Sequence, residues 1–204
     1  KALDGGAAVI CIPLGAARCT AAMEEAIAAA QERGVLVIAP AGSGRGFDLF
    51  PAALPWVVSC TASSSFPTRD AEGRSVMSEE VASFANASWK TDLMSPGSAR
   101  APKAGGGWTD LEGTSVACAR AAALAAWLRW KRPDLPADRV REILTLACAA
   151  PAAPEPDLRL RSLNAEVVRR HGERIADLVV EEVSISPPQP PPGAELTVTL
   201  AVRN

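Results

Sequence analysis

The feature that most constrains this chain is a pair of short apolar runs separated by a helical pattern, all before residue 40. Ala7 to Ile12 is apolar throughout and ends at Pro13-Leu14-Gly15, the pattern of a buried strand passing into a loop. Thr20 is placed to cap a helix that reaches Arg33, with Glu24 and Glu25 in its early turns and Gly34 as its stop. Met23, Ala26, Ile27 and Ala30 fall at helical spacing and give that helix one apolar face. Val35 to Ala39 is a second run, apolar without alternation, as in a strand covered on both faces. Strand, helix and strand at this spacing make a crossover between parallel strands, and Trp56 to Cys60 extends the sheet. The expected fold class is therefore α/β, with a mostly parallel sheet and flanking helices.

The remainder of the chain divides into three stretches. From Thr61 to Gly107 small and turn residues dominate, with weaker strands expected near Val81–Phe84 and Thr91–Met94. Ser115 to Trp130 reads as a long, alanine-rich central helix stopped by Lys131-Arg132-Pro133. A further helix is expected from Ala137 to Cys148, with Val140, Ile143, Leu144 and Ala147 on one face. Pro151 to Pro156 breaks the pattern. Val179 to Ile185 and Leu196 to Val202 then alternate as strands around a proline-rich turn, the start of a β-sandwich-like module that two strands cannot close. The expected boundaries are 1–172 for the α/β part and 173–204 for the linker and first β strands.

Composition excludes several classes. With 48% hydrophobic and 22% charged residues among 204, the chain is not broadly disordered. A net charge of −2 provides no basic field for nucleic acid or anionic lipid. The apolar run Ala121–Leu128 lies between Arg120 and Arg129, far short of the ~20 residues that span a bilayer. Neither nucleic acid nor membrane is an expected partner. No signal-peptide pattern follows Lys1, so the compartment is not legible from targeting. The five cysteines, Cys11, Cys19, Cys60, Cys118 and Cys148, are widely spaced, which disfavours a metal cluster and reads as small core hydrophobes, with one disulfide among them left open by the sequence.

Chemistry concentrates in Gly113-Thr114-Ser115-Val116-Ala117. A tight glycine turn delivers a serine to the start of a long helix, beside unpaired backbone N–H groups. An ordinary helix cap uses the same residues. The glycines of Gly42-Ser43-Gly44-Arg45-Gly46 have neither dinucleotide nor P-loop spacing. Asn86-Ala87-Ser88 fits a glycosylation acceptor by pattern alone. Glu79, Glu80, Asp110 and Glu112 have no ligand spacing and read as solvated charge.

The order of segments resembles the C-terminal part of the subtilase (subtilisin-like serine protease) catalytic domain. The matching stretches are Ala8–Gly15, Gly34–Ser43, Phe50–Ser59, Ala82–Asn86, Asp92–Gly97, Gly113–Ala117 and Leu163–Ala165. The resemblance implies that Ser115 is the nucleophile. It also implies that Pro13, Leu14 and Gly15, with Ala39, Pro40, Ala41 and Gly42, edge a cleft holding an extended peptide. Leu49, where relatives often carry glycine, would crowd the first specificity pocket. Phe50–Pro51 is expected to be a cis peptide. Calcium is common in the family, but no site is assigned here, and no other cofactor is implied. An extracellular setting is likewise implied only by family.

The departures are specific. Ser43 stands where relatives place an asparagine that stabilises the oxyanion, a loss of about 10²–10³ in turnover for such a donor. Ala119 and Arg120 replace a Pro-His pair, and Pro13 replaces a serine. A triad serine needs a histidine and a carboxylate, which relatives place upstream of the Ala7 strand. The sole histidine, His171, lies between Arg170 and Gly172 and is expected to be a surface imidazole, and Lys103 forms no visible dyad with the serine. Three readings follow: a serine endopeptidase acting on peptide or protein, with its aspartate and histidine on a complementing N-terminal segment; a degenerate relative that binds peptide or protein; or a scaffold for β modules. The isolated chain is expected to lack triad hydrolysis.

Overall fold

A computed structural model describes residues 1–149, 162–173, 179–186 and 197–203. Strand β1 (Val9–Cys11) leads through α1 (Ala21–Glu32) to β2 (Leu36–Pro40), and then to the long β3 (Val57–Arg69). Next come β4 (Ser75–Val81), β5 (Leu93–Pro96), β6 (Ser98–Pro102) and β7 (Trp108–Glu112). Helices α2 (Thr114–Lys131) and α3 (Ala137–Leu146) precede β8 (Cys148–Ala149) and β9 (Ser162–Leu163). Helix α4 (Ala165–Glu173) is followed by β10 (Val179–Ser186) and β11 (Thr197–Arg203).

The main sheet runs β1-β2-β3-β5-β9-β8, with β4 paired to the distal half of β3. Pairings from β1 through β9 are parallel, whereas β8 and β4 join antiparallel. The α/β architecture expected from the crossover pattern is the one observed. Thr20 caps α1 by accepting a hydrogen bond from the Met23 amide at 3.2 Å. Ile27 and Ala30 are buried on its inner face, while Ala26 is exposed, so the face is narrower than the sequence pattern predicts.

Strand β2 explains why its run is unbroken. Leu36 and Ile38 point to the layer containing α2, α3 and α4, and Val37 and Ala39 point to the layer containing α1. Every residue of β2 is buried. Helix α2 meets the sheet through Ala117, Cys118, Ala121, Ala125 and Leu128, all at 0% exposure. These short side chains let the helix axis approach the strands closely, and Leu128 fills the far end beside Val140 and Leu144 of α3.

Several local expectations are corrected. The stretch 61–112 holds two antiparallel hairpins, β3–β4 and β6–β7, where turn residues concealed exposed strands. Only Val81 of the expected Val81–Phe84 strand is extended, because the chain turns at Ser83 and Phe84 to bring Asn86 inward. The α3 helix stops at Leu146, and Cys148 begins β8 instead of ending the helix. Cys11 is exposed and Cys19 is half-buried, packed at the margin of the α1-side core, contrary to expectation; Cys60, Cys118 and Cys148 are core residues as expected. The two C-terminal runs pair antiparallel as β10 and β11, whereas the proline-rich turn and Pro151–Pro156 lie outside the described residues.

A buried polar knot fixes the loop before β3. Asp48 accepts hydrogen bonds from Ser88 Oγ at 2.7 Å, from Thr91 Oγ1 at 2.8 Å, and from Ser59 Oγ. Asp92 accepts from the Ser59 amide and from Arg141 of α3, both at 2.7 Å, and from Lys90 Nζ at 3.0 Å. Removing one hydroxyl leaves Asp48 with other donors, whereas removing the carboxylate takes the acceptor from three hydroxyls at once. Ser88→Ala should cost about 1 kcal/mol and Asp48→Ala about 3 kcal/mol or more in urea unfolding. Equal losses for the two variants would contradict this account.

Candidate active site

Gly113 sets the geometry of the candidate nucleophile. Its backbone, at φ 150 and ψ 163, occupies a region that is open essentially to glycine alone. The Gly113 amide donates to Gly97 O at 2.9 Å, which anchors this turn to the end of β5. Thr114 is then buried and Ser115 exposed. Ser115 is the second residue of α2, where amide N–H groups have no partner within the helix and the dipole is positive. Its hydroxyl donates to Pro13 O at 2.9 Å, across 102 positions of sequence. The structure thus places Ser115 against the Pro13-Leu14-Gly15 edge.

Three loops lie side by side next to it. The Leu49 amide donates to Ala41 O at 2.8 Å, and the Ala16 and Phe50 amides exchange hydrogen bonds with each other's carbonyls at 2.8 and 2.9 Å. Pro13, Leu14 and Gly15 are exposed; Ala39, Pro40, Ala41 and Gly42 are buried; Ser43 is exposed at the end of the second loop. Leu49 fills the space between the first two. A β-carbon built on Gly42 would lie 2.6 Å from Leu49 Cδ1, and one on Gly15 would lie 2.9 Å from it. Glycine is required at both positions for the leucine to fit. Phe50–Pro51 is cis, as expected.

Asn86 is a structural residue that the sequence pattern did not single out. It is buried, at 2% exposure. Its Nδ2 donates to Phe47 O at 2.9 Å and Ala41 O at 3.3 Å, and its Oδ1 accepts from the Gly46 amide at 3.0 Å. Its backbone amide donates to Gly42 O at 2.9 Å, and its carbonyl accepts from Thr61 Oγ1 at 2.5 Å. Asn86 therefore holds the 41–47 loop from beneath. The signal was present in Ala82–Asn86 as a segment of the resemblance, but the Asn-Ala-Ser triplet gave no indication of burial.

The hydrogen-bond partner of the Ser115 hydroxyl is a backbone carbonyl and not a base. Pro13 O is an amide oxygen, too weakly basic to take a hydroxyl proton. His171 lies in α4, which packs on α2 through Gly172 against Trp127. That contact is twelve residues beyond Ser115, about 18 Å along the helix; the His171 side chain lies outside the described residues. Among the described residues no three His, Cys, Asp or Glu side chains cluster as a metal site, and no helix is long and apolar enough to cross a membrane.

The fold has counterparts among solved structures. The chain is similar to the prenylagaramide maturation protease PagA, at 28% identity and TM-score 0.64, over 83% of this chain and 64% of that one. It is similar to the patellamide maturation protease PatA, at 25% identity and TM-score 0.67, over 84% of this chain and 65% of that one. Sphericase shares the fold at 22% identity and TM-score 0.64, over 77% and 55% of the two chains. The chain thus spans less than two thirds of each of these structures. No curated protein matches it significantly. The family model of peptidase S8, described as the Subtilase family, matches residues 1–167. With that match over most of its length, and the serine turn set against the three-loop edge, this chain belongs to the subtilase family.

Proposed function

We propose that this chain is the serine-bearing part of a subtilisin-like serine endopeptidase. The observation that carries the reading is the Gly113 turn, which presents an exposed Ser115 hydroxyl at the N-terminus of α2 against the Pro13–Gly15 edge. In this reading Ser115 Oγ attacks the scissile carbonyl, and the amide groups at the start of α2 face the developing oxyanion. Ser43 stands as a weak substitute for the family's asparagine donor. An extended peptide or protein segment lies between the Pro13–Gly15 and Ala39–Gly42 edges as an added strand. The proton from Ser115 goes to a histidine outside these 204 residues, oriented by a carboxylate on the same complementing N-terminal segment. The antiparallel β10–β11 pair supports reading the C-terminal part of the chain as a β-rich unit separate from the α/β part.

The second reading, a peptide-binding relative without hydrolysis, draws on a different observation. The Ser115 hydroxyl is already committed to Pro13 O, Leu49 fills the space between two cleft edges, and Ser43 replaces the asparagine. Fluorophosphonate labelling of the longest natural form, mapped by peptide mass spectrometry, separates the two. An adduct on Ser115 that is lost in Ser115→Ala is the expected result, and absence of label on folded protein would favour the binding reading. The 204-residue chain by itself should show no turnover.

Leu49 sets the pocket prediction. Leu49→Gly should raise kcat/KM about tenfold or more for substrates with an aromatic residue before the scissile bond, relative to alanine there. An unchanged ratio in the longest natural form would remove Leu49 from the specificity pocket.

A further inference from the structure

Two thiols meet beneath the serine turn, and no step of the proposed hydrolysis uses them. Cys11 closes β1 and Cys118 lies one turn beyond Ser115 on α2; their Sγ atoms are 3.6 Å apart, although 107 positions separate them in sequence. Both are free thiols. Cys11 is exposed because β1 is the edge strand, with no neighbour on its outer side among the described residues. Cys118 is at 0% exposure, with Ile38 O 3.5 Å from its sulfur. The other three cysteines each direct Sγ at a nearby backbone carbonyl, those of Thr20, Thr61 and Leu144.

We propose that Cys11 and Cys118 are a reversible dithiol–disulfide couple that clamps the start of α2 to the cleft-edge strand. A disulfide needs about 2.05 Å between sulfurs, so closure brings the two Sγ atoms about 1.5 Å nearer than their 3.6 Å separation. The bond would tie the strand that leads into Pro13 to the turn of α2 that follows Ser115. Those are the two segments joined by the Ser115–Pro13 hydrogen bond.

The chemistry balances with a disulfide oxidant such as glutathione disulfide. The Cys11 thiolate attacks one glutathione sulfur, forming a mixed disulfide and releasing one glutathione, which takes up the proton Cys11 lost. Cys118 then attacks the Cys11 sulfur as its thiolate and expels the second glutathione, which carries away the Cys118 proton. Two protein thiols become one disulfide, and one glutathione disulfide becomes two thiols. Burial and the neighbouring Cys11 push the Cys118 thiol above its ordinary range, which makes the exposed Cys11 the entry point.

The test equilibrates the full chain in glutathione redox buffers, blocks free thiols with N-ethylmaleimide, and maps tryptic peptides. Cleavage at Arg18 separates Cys11 from Cys19, and cleavage at Lys103 and Arg120 isolates Cys118. The expected result is a Cys11–Cys118 crosslinked pair lacking two hydrogen atoms, with the other three cysteines alkylated. Its equilibrium should favour the disulfide at least about tenfold more than in guanidinium-unfolded chain. Cys11→Ser should abolish the crosslink and Cys19→Ser should leave it intact. A Cys11–glutathione adduct that never resolves, a pairing through Cys19, or equal closure in the unfolded chain would each overturn the proposal. The mapping on unsubstituted chain decides this even if Cys11→Ser folds poorly, and it stands independently of whether Ser115 takes a fluorophosphonate.

Discussion

Close packing of an alanine-rich helix on a parallel sheet is the constraint on which the rest of the structure depends. Ala117, Cys118, Ala121 and Ala125 project no further than two heavy atoms, so α2 lies near β2, β3 and β5 with no room for water. Dispersion contacts are short-ranged, and a helix held at this spacing is held in rotation as well as in distance. The rotation decides the site. With Ala117 and Cys118 turned to the sheet, Ser115 faces outwards towards Pro13 O, and Cys118 meets Cys11. Lengthening any of those inward side chains would lift the helix start and the serine with it.

The second determinant is polar. Buried hydrogen bonds add to the packing of Ala39, Ala41, Ala52 and Phe50 in holding the loops beside Ser115. Asn86 ties the 41–47 loop from below through both side-chain and backbone groups, and Asp48 ties the adjoining segment to β3 and to the 88–91 loop. In low dielectric such bonds are strong and their absence is costly, which confers rigidity on segments that would otherwise move. Leu49 is held on this frame, between two glycines that have no side chain to displace it. The surroundings of Ser115 are shaped by these loops but located by the sheet.

How much was legible follows from the range of each signal. The crossover from β1 through α1 to β2 was readable because the caps, periodicity and apolar runs lie within one another's reach along the chain. The β3–β4 and β6–β7 hairpins were hidden because their strands are exposed, and serine, proline and charged residues carry little periodic pattern there. The Phe50–Pro51 isomer came through family resemblance, since no local rule specifies it.

By itself, the sequence determined the secondary elements of the parallel core and the glycine turn that starts α2, since both follow from backbone sterics and from patterns spanning a few residues. Tertiary structure alone decided that the Ser115 hydroxyl meets Pro13 O, that Cys11 lies exposed against a buried Cys118, and that Asn86 is a buried strut. Each of these joins residues from about 40 to more than 100 positions apart. Such pairings arise when the sheet order places β1 beside β2 and α2 across them, information that no window of the chain contains.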